Sequence, residues 1–313
     1  MADKSIFILG SFVVSCSAKV PRFPRAGESL AAEIVTIEPG GKGLNLAIAS
    51  RRMGAQVDGL LAIGDDVASA FAAPALVRAD LPAGMLIRLP GKTGSGVGFT
   101  DARGETCLAV DAGVNLALAA GHVRAVAGKI GAAAMVMAQF EIGDEPIREA
   151  FALARKAGVA TLLNPSPYRP IAADILANTQ ILVVNETEAQ ALGSSLAIGP
   201  DNADPAWFTT RLGPALLALG PRIVVLTRGA AGAIAMTADG VISQPALPVA
   251  AIDSLGAGDA FAATLGVSLS RGINLSEALL HAAAAGALAT IRAGVFDALP
   301  TRDAMQELIA ETA

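Results

Sequence analysis

The sequence predicts an α/β fold: an open, mainly parallel sheet with helices on both faces, plus a small separate β-sheet. Short apolar segments alternate with amphipathic helical segments through most of the chain, which is the pattern of repeated β-α-β units. In addition, segments 133–137, 159–163 and 181–184 are almost entirely apolar, as strands covered on both faces are.

Turn residues and charges end each apolar run and set the element boundaries. The predicted strands are 5–10, 57–63, 133–137, 159–163, 180–184, 222–227 and 232–236. The predicted helices lie near 43–53, 65–79, 119–128, 144–157, 204–219, 256–271, 275–291 and 301–311.

Two segments interrupt this alternation. Residues 12–38 are predicted to be extended chain, and residues 84–111 short strands separated by turns. Together they predict a small separate sheet beside the large one. The expected division is a main domain of residues 1–11, 39–83 and 112–313 and a second, smaller unit of residues 12–38 and 84–111.

Composition excludes several classes of function. The 313 residues carry a net charge of −5 without a Lys/Arg cluster, which argues against a nucleic-acid partner. Apolar runs end well before the length of about 20 residues that a membrane span needs. Cys16 and Cys107 have no CxxC spacing and favour a reducing, cytoplasmic location. His122 and His281 stand alone, so no zinc site is expected.

One Gly-rich stretch only imitates a phosphate loop. The run "GKTGSG" at 91–96 has Leu86 where a P-loop needs its first Gly, and no helix follows it. A Walker-type loop is therefore rejected.

A second Gly-rich stretch, "EPGGKGLNLAIA", opens a predicted helix. Gly40 and Gly41 allow backbone to approach a ligand closely, and Lys42 and Asn45 supply donors beside the free N–H groups of the helix start. The structural alternative is a strand-to-helix turn with a solvated lysine.

Two further motifs follow apolar strands. In "NETEAQAL", Asn185 is a candidate N-cap and Glu188 suits the first helical turn, or else holds a hydrated Mg²⁺ through water. In "TRGAAG", Thr227, Gly229 and Gly232 form a turn that suits close approach of a phosphate or base, unless it is a plain hairpin turn.

The stretch "DSLGAGDAF" combines an anion site with a carboxylate. The small-residue turn before the predicted helix points N–H groups at an anion, and the helix dipole adds to this attraction. Asp259 is either an N-cap worth about 1 kcal/mol or a group that acts on whatever the turn holds. A cap alone requires neither the extra glycines nor Asp253 six residues earlier.

Taken together, these motifs resemble the ribokinase-like (PfkB) family of carbohydrate kinases over essentially the whole chain. "GGKGLNLA" resembles the first family signature and "DSLGAGDAF" the second, written D-T-x-G-A-G-D, with "NETEA" and "TRGAAG" between them in the expected order. The resemblance implies a Rossmann-like, ribokinase-like sheet with a small β-sheet lid, which residues 12–38 and 84–111 would form. It also implies ATP-dependent phosphorylation of a primary hydroxyl of a small sugar, and homodimerisation through the lid.

The resemblance also implies a role for each matching residue. Asp259 falls on the catalytic base and Gly256, Ala257 and Gly258 on the anion hole. The remaining positions fall on the nucleotide site (Asn185, Thr227, Gly229, Gly232 and Gly258), the Mg²⁺-associated acid (Glu188), the sugar contacts (Ser15, Gly40, Gly41, Lys42, Asn45 and Glu141) and a K⁺ loop that many members use (Asp253, Ala289, Arg292 and Gly294).

One motif expected at the sugar site differs from that of ribokinases proper. Their G-S-x-N-x-D motif is "GSFVVS" here, so Val13 and Ser15 replace an Asn and a hydroxyl-binding Asp. The acceptor is then a different sugar, a deoxy or modified sugar, or a nucleoside, and a binding protein without catalysis is a further alternative. A Ser that helps the cation loop in ribokinase is Ala298 here.

Overall fold

Two sheets organise the computed structural model, which describes residues 4–103, 105–199 and 204–312. The large sheet contains β1 (Ile6–Gly10), β4 (Val57–Ile63), β5 (Leu86–Arg88), β8 (Met135–Gln139), β9 (Ala160–Asn164), β10 (Ile181–Asn185), β11 (Ile223–Thr227), β12 (Ala233–Thr237) and β13 (Gly240–Gln244). The small sheet contains β2 (Val13–Lys19), β3 (Ile34–Gly40), β6 (Gly94–Thr100) and β7 (Thr106–Asp111).

Helices connect the strands of the large sheet and cover both of its faces. They are α1 (Lys42–Arg52), α2 (Ala72–Arg78), α3 (Ala120–Ala125), α4 (Ala127–Ala132), α5 (Asp144–Lys156), α6 (Ala173–Ala177), α7 (Glu186–Ser195), α8 (Pro205–Trp207), α9 (Gly213–Ala218), α10 (Ala257–Ser270), α11 (Leu275–Ala289) and α12 (Arg302–Thr312).

The large sheet has nine strands in the order β13-β12-β11-β10-β9-β8-β1-β4-β5. All of its pairings are parallel except those of β12 and β13 at one edge. Parallel strands place their carboxyl ends along one edge, where ligands of such sheets bind. The loops that follow β8, β10 and β11 therefore open on the same side of the molecule.

Each face of the sheet packs against its own layer of helices. Ile8, on β1, belongs to a core that includes Leu46 of α1 and Leu265 of α10. Leu9, the next residue of β1, belongs to the opposite core with Phe151 of α5. Because both faces are buried, the strand "IFILG" is apolar throughout, as the sequence analysis expected.

The fold class is confirmed, with shifts at particular elements. The strand predicted at 133–137 occupies 135–139, because the Ala133 N–H still bonds back to Ile130 at the end of α4. The helix predicted at 65–79 is a 3₁₀ turn followed by α2, and 119–128 is divided between α3 and α4. β13 and α6 were not predicted, and α7 was expected only as a first helical turn after Asn185.

Residues 84–111 do not all belong to the small sheet. Leu86–Arg88 pairs in parallel with β4 and extends the edge of the large sheet instead. Leu86 packs on one core and Ile87 on the other, so burial on both faces holds this short strand in place. The prediction that assigned these residues to the lid was wrong for this strand.

Apolar side chains are exposed on both faces of the small sheet. Ser15 pairs with Glu38 and Gly96, so these residues share one face, on which Ile34 (57%) and Leu108 (54%) are more than half exposed. Three apolar side chains are more than half exposed on the opposite face: Val35 at 57%, Ile37 at 57% and Val97 at 52%. Within the described ranges, no helix is long and apolar enough to cross a bilayer.

Candidate active site

The site lies where the starts of α1 and α10 meet. Asn45, in the first turns of α1, donates a hydrogen bond from Nδ2 to Oδ2 of Asp259 at 2.8 Å. Lys42 Nζ lies 3.7 Å from the other carboxylate oxygen of Asp259. Only 4% of Asp259 is exposed. The nearby Asp259 carboxylate is the main reason why the pKa of Lys42 is raised, so the lysine carries its charge into the site.

The start of α10 has open backbone donors. Its N-cap is Gly256, in the left-handed conformation with φ of 76°, and Asp259 is the third helical residue, not the cap. The Ala257 N–H bonds to the Ser254 carbonyl at 3.3 Å, which removes one of the donors that the sequence placed in the anion hole. The N–H groups of Gly258 and Asp259 have no acceptor in the part of the chain that the structure describes.

Val295 leaves no room for a side chain at the N-cap of α10, which explains the glycine there. A methyl group added at Gly256 would lie 2.8 Å from Val295 Cγ1, and the positive φ would strain any other residue. At Gly258 nothing lies within 4 Å of such a methyl group, so this side of the helix start is open space.

The start of α1 is closed by the protein itself. Its N-cap, Gly41, has φ of 97° and no capping side chain. Instead, Glu141 Oε2 accepts hydrogen bonds from the Lys42 N–H at 2.9 Å and from Ser11 Oγ at 2.5 Å. Ser11 Oγ in turn accepts from the Gly43 N–H at 3.2 Å. Glu141, predicted as a sugar contact, therefore also holds a helix terminus.

Ser11 and Gln139 were not predicted as site residues. Gln139 is fully buried at the end of β8 and donates to Ser11 Oγ at 2.9 Å. Its Oε1 accepts the Glu141 N–H. The sequence did contain one indication of this role: a single glutamine ends the apolar strand "MVMAQ", and a buried amide needs hydrogen-bond partners.

A cavity of about 580 Å³ runs from the start of α10 toward α11. Thr227, Gly229 and Gly232 line it, together with Ala257 and Gly258 at the start of α10. Of the residues predicted to bind the nucleotide, Asn185 is the one that does not line this cavity. Its remaining walls are mostly small or apolar: Ala246, Leu247, Pro248, Val249, Ala251, Phe261, Ala283, Gly286 and Ala287.

Asn185 and Glu188 form a reciprocal cap at the start of α7. The Glu188 N–H donates to Asn185 Oδ1 at 2.8 Å, and the Asn185 N–H donates to Glu188 Oε2 at 3.0 Å. Glu188 thus keeps one carboxylate oxygen for another partner, although only 5% of the residue is exposed. No cluster of three acidic, His or Cys residues suited to a metal ion occurs in residues 4–103, 105–199 and 204–312.

The predicted cation loop is partly assembled. The Asp253 carboxylate accepts the Leu255 N–H at 3.0 Å and the Gly294 N–H at 3.1 Å, so both oxygens have protein partners. Ala289 is buried as the last residue of α11, and Arg292 is exposed. Ala298 is buried and offers no hydroxyl.

The small sheet reaches the site through β2 and β3. A methyl group added at Gly40 or Gly96 would lie 3.6 Å from Ser15 Oγ, so the hydroxyl faces these two glycines. Glu38 extends from β3 to the loop at Gly294, where a methyl group would lie 3.3 Å from its carboxylate. Burial raises the pKa of Glu38, and the carboxylate of Asp297 raises it further.

Comparison with known proteins agrees with this geometry. A bifunctional ribokinase/ribose-5-phosphate isomerase A of Fructilactobacillus sanfranciscensis is 30% identical over 98% of this chain, which spans 56% of that protein. A ribokinase of Bacillus subtilis is 27% identical over 98% of this chain and 100% of its own length.

Similarity in structure extends over the same length. The Arabidopsis thaliana ribokinase solved with ribose and ATP superposes with a TM-score of 0.87 at 24% identity, covering 98% of each chain. The sequence pattern described as pfkB family carbohydrate kinase matches residues 3–302. The chain therefore belongs to the pfkB family of carbohydrate kinases.

Proposed function

We propose that this carbohydrate kinase transfers the terminal phosphoryl group of ATP to a primary hydroxyl of a small sugar. One observation carries the proposal: a buried carboxylate, Asp259, lies beside open N–H groups at the start of α10. Asn45 and Lys42 both contact this carboxylate. A base and an anion site in one helical turn are what phosphoryl transfer requires.

In the proposed reaction the sugar hydroxyl loses its proton to Asp259 and attacks the γ-phosphorus of ATP. The new sugar O–P bond forms as the bond from the γ-phosphorus to the β-γ bridging oxygen breaks, and ADP leaves. The N–H groups of Gly258 and Asp259 stabilise the charge on the transferring group. Lys42 adds a positive charge to the same position.

The cavity suits the nucleoside part of ATP. Its apolar walls suit a base, and Gly258 in its lining would bring the phosphates to the start of α10 in this proposal. Mg²⁺, when bound, would neutralise phosphate charge, and the second carboxylate oxygen of Glu188 is the candidate to hold it through water. K⁺ at the Asp253 loop would need backbone carbonyls, because the Asp253 oxygens already accept hydrogen bonds.

The acceptor binds between the small sheet and the start of α1 in this proposal. Ser15, Gly40, Gly41, Lys42 and Asn45 would surround it, together with the Glu141 oxygen that has no partner within the described ranges. Ser15 offers one short hydroxyl, which favours a sugar with fewer hydroxyls to bind at that end. A reducing cytoplasm suits the free Cys16 and Cys107.

A coupled assay of ADP release tests the function over a panel of ribose, deoxyribose, other pentoses and hexoses, and nucleosides. We expect turnover of at least one sugar, with ATP consumed only in its presence. Turnover confined to nucleosides would replace the sugar by a nucleoside as acceptor. Ligand binding by calorimetry without turnover of any compound would identify a binding protein instead.

We further propose that residues 12–38 and the small-sheet part of 84–111 act as a lid, and that two chains pair through it. The exposed apolar face that carries Val35, Ile37 and Val97 is the contact, because uncovered sheet faces and edges favour association. Ile37→Lys should convert a dimer to a monomer in sedimentation at micromolar concentration. Val67→Lys, at an exposed site outside the sheets, is the control. A wild-type monomer would contradict the pairing.

A further inference from the structure

Arg169 lies outside every motif of the sequence and makes an unusual set of contacts near the site. Its guanidinium donates from Nη1 to the Phe140 carbonyl at 2.5 Å and from Nη2 to the Ile142 carbonyl at 2.7 Å. These two carbonyls belong to the residues on either side of Glu141. One side chain therefore fixes the backbone both before and after that carboxylate.

The guanidinium is itself held in place from two directions. Its carbon lies 3.9 Å from the centre of the Phe140 ring. Asp144 Oδ1, at the start of α5, accepts from Nε at 2.9 Å and from Nη2 at 2.6 Å. A planar group with donors on several edges can make all these contacts at once, whereas a lysine ammonium cannot.

The loop leaves only the Glu141 side chain free to face the site. Phe140 is 2% exposed and Ile142 is fully buried, so their side chains anchor the loop in the core. The Phe140 N–H bonds to the Ser166 carbonyl at 3.0 Å, which ties the loop to the segment that carries Arg169. Glu141 then directs Oε2 at the start of α1.

We infer that Arg169 is a positioning residue of the kinase: it fixes the 140–142 loop so that Glu141 holds the start of α1 and presents its second oxygen to the acceptor sugar. This inference rests on the proposed function. Arg169 itself touches neither substrate, and its effect passes through Glu141. Displacement of a positioning group by about 1 Å can cost about 100-fold in rate.

Two substitutions measure this role. Arg169→Gln removes the guanidinium with its charge, and Arg169→Lys keeps the charge without the planar geometry. Relative to wild type, Arg169→Gln should lower kcat/KM for the sugar by about 10-fold or more while KM for ATP changes by less than about twofold. Arg169→Lys should recover only part of the loss, and it also replaces the Gln variant if that variant does not fold.

Arg148→Gln is the matched control. Arg148 forms an exposed ion pair with Asp174, on the helices adjacent to the same loops, and within the described ranges it hydrogen-bonds to no residue of the site. Its loss should leave kcat/KM within about twofold of wild type. Equal losses in the Arg148 and Arg169 variants would overturn the inference, since both would then report only general stability.

A double-mutant cycle with Glu141→Gln separates positioning from folding. If Arg169 acts through Glu141, Arg169→Gln should cost less than about threefold in the Glu141→Gln background. An equal cost in both backgrounds would contradict the inference. A wild-type protein without turnover would reject the proposed function itself, whereas an active wild type with an unimpaired Arg169→Gln variant would reject only this inference.

Discussion

The two helices that meet at the site, α1 and α10, both begin at a glycine N-cap, but within the described residues only the N–H groups at the start of α1 have side-chain acceptors. Gly41 and Gly256 both cap their helices with positive φ, 97° and 76°, and neither start has a side-chain cap of its own. At α1 the protein supplies an anion, Glu141, which accepts a helix N–H. At α10 the donors of Gly258 and Asp259 are open.

This difference shows what a Gly-rich helix start predicts and what it does not. Such a start predicts an anion at the helix terminus because of its free N–H groups and dipole. Whether that anion belongs to the protein or to a ligand depends on residues far away in the chain. Ser11 and Glu141, which close α1, are 130 residues apart. The open start is therefore the one that can receive a phosphate.

The largest expected effect comes from removing the carboxylate at the open start. Asp259→Asn should lower kcat by about 10²- to 10⁴-fold, the usual contribution of a positioned base. ATP binding should remain nearly intact, because the N–H donors stay in place. Turnover by the ADP-release assay and ATP affinity by calorimetry measure the two quantities. A wild-type rate would show that Asp259 is not the base.

The paired glycines of α10 give the next largest effect. Gly258→Ala adds a methyl group where nothing lies within 4 Å, so folding should be unchanged. The methyl group would narrow the open anion site and lower kcat/KM for ATP by about 10-fold or more. Steady-state kinetics with a thermal melt measure both properties. An unchanged kcat/KM would place the phosphate elsewhere.

Gly256→Ala should instead act on stability. The left-handed conformation costs a non-glycine residue about 1–2 kcal/mol, and the methyl group would press on Val295 Cγ1 at 2.8 Å. Urea denaturation should therefore show a free energy of unfolding lower by about 2 kcal/mol. An equal loss of unfolding free energy in Gly258→Ala would contradict the claim that Gly256 packs against Val295 while Gly258 faces open space.

Much of this architecture could be predicted from local sequence. Parallel strands such as β1 and β4 were predicted almost to the residue, because burial on both faces makes most of their residues apolar. β13 was not predicted because an exposed edge strand lacks that apolar pattern. β5, with three residues, is too short to produce any period.

The residues of the site likewise include some that the local sequence predicted and some that it did not. The family resemblance assigned the motif at Lys42–Asn45 to the sugar and the motif at Gly256–Asp259 to catalysis. The 2.8 Å hydrogen bond from Asn45 to Asp259 brings the two motifs together. Gln139 and Arg169 were not predicted as parts of the site, because their roles depend on partners that only the tertiary fold brings close. No spacing along the chain encodes a guanidinium against two carbonyls of a distant loop.

A smaller effect is expected at the closed start. Glu141→Gln removes the negative charge that accepts the Lys42 N–H and the Ser11 hydroxyl. Loss of a charge at a helix N-terminus should lower the free energy of unfolding by about 1 kcal/mol. Glu307→Gln, exposed on α12, is the control for urea denaturation and should be neutral. A neutral Glu141→Gln would mean that α1 does not need the protein's own anion.

The smallest expected effect concerns Lys42, which belongs to the closed start but faces the open one. Its raised pKa means that the folded state binds the proton more tightly than the unfolded state, chiefly because of Asp259. The stability that this charge contributes is complete below its ordinary pKa of 10.5 and is lost only as pH rises through the raised value. The difference in free energy of unfolding between wild type and Lys42→Met should therefore stay constant from about pH 6 to pH 9.

The same measurement in an Asp259→Asn background tests the cause. Without that carboxylate the pKa of Lys42 loses its main source of elevation, so the difference should begin to close at a lower pH than in the wild-type background. A difference that already shrinks between about pH 7 and pH 9 in the wild-type background would show that the lysine loses its proton there. Lys42 would then not carry a positive charge next to the start of α10 at neutral pH.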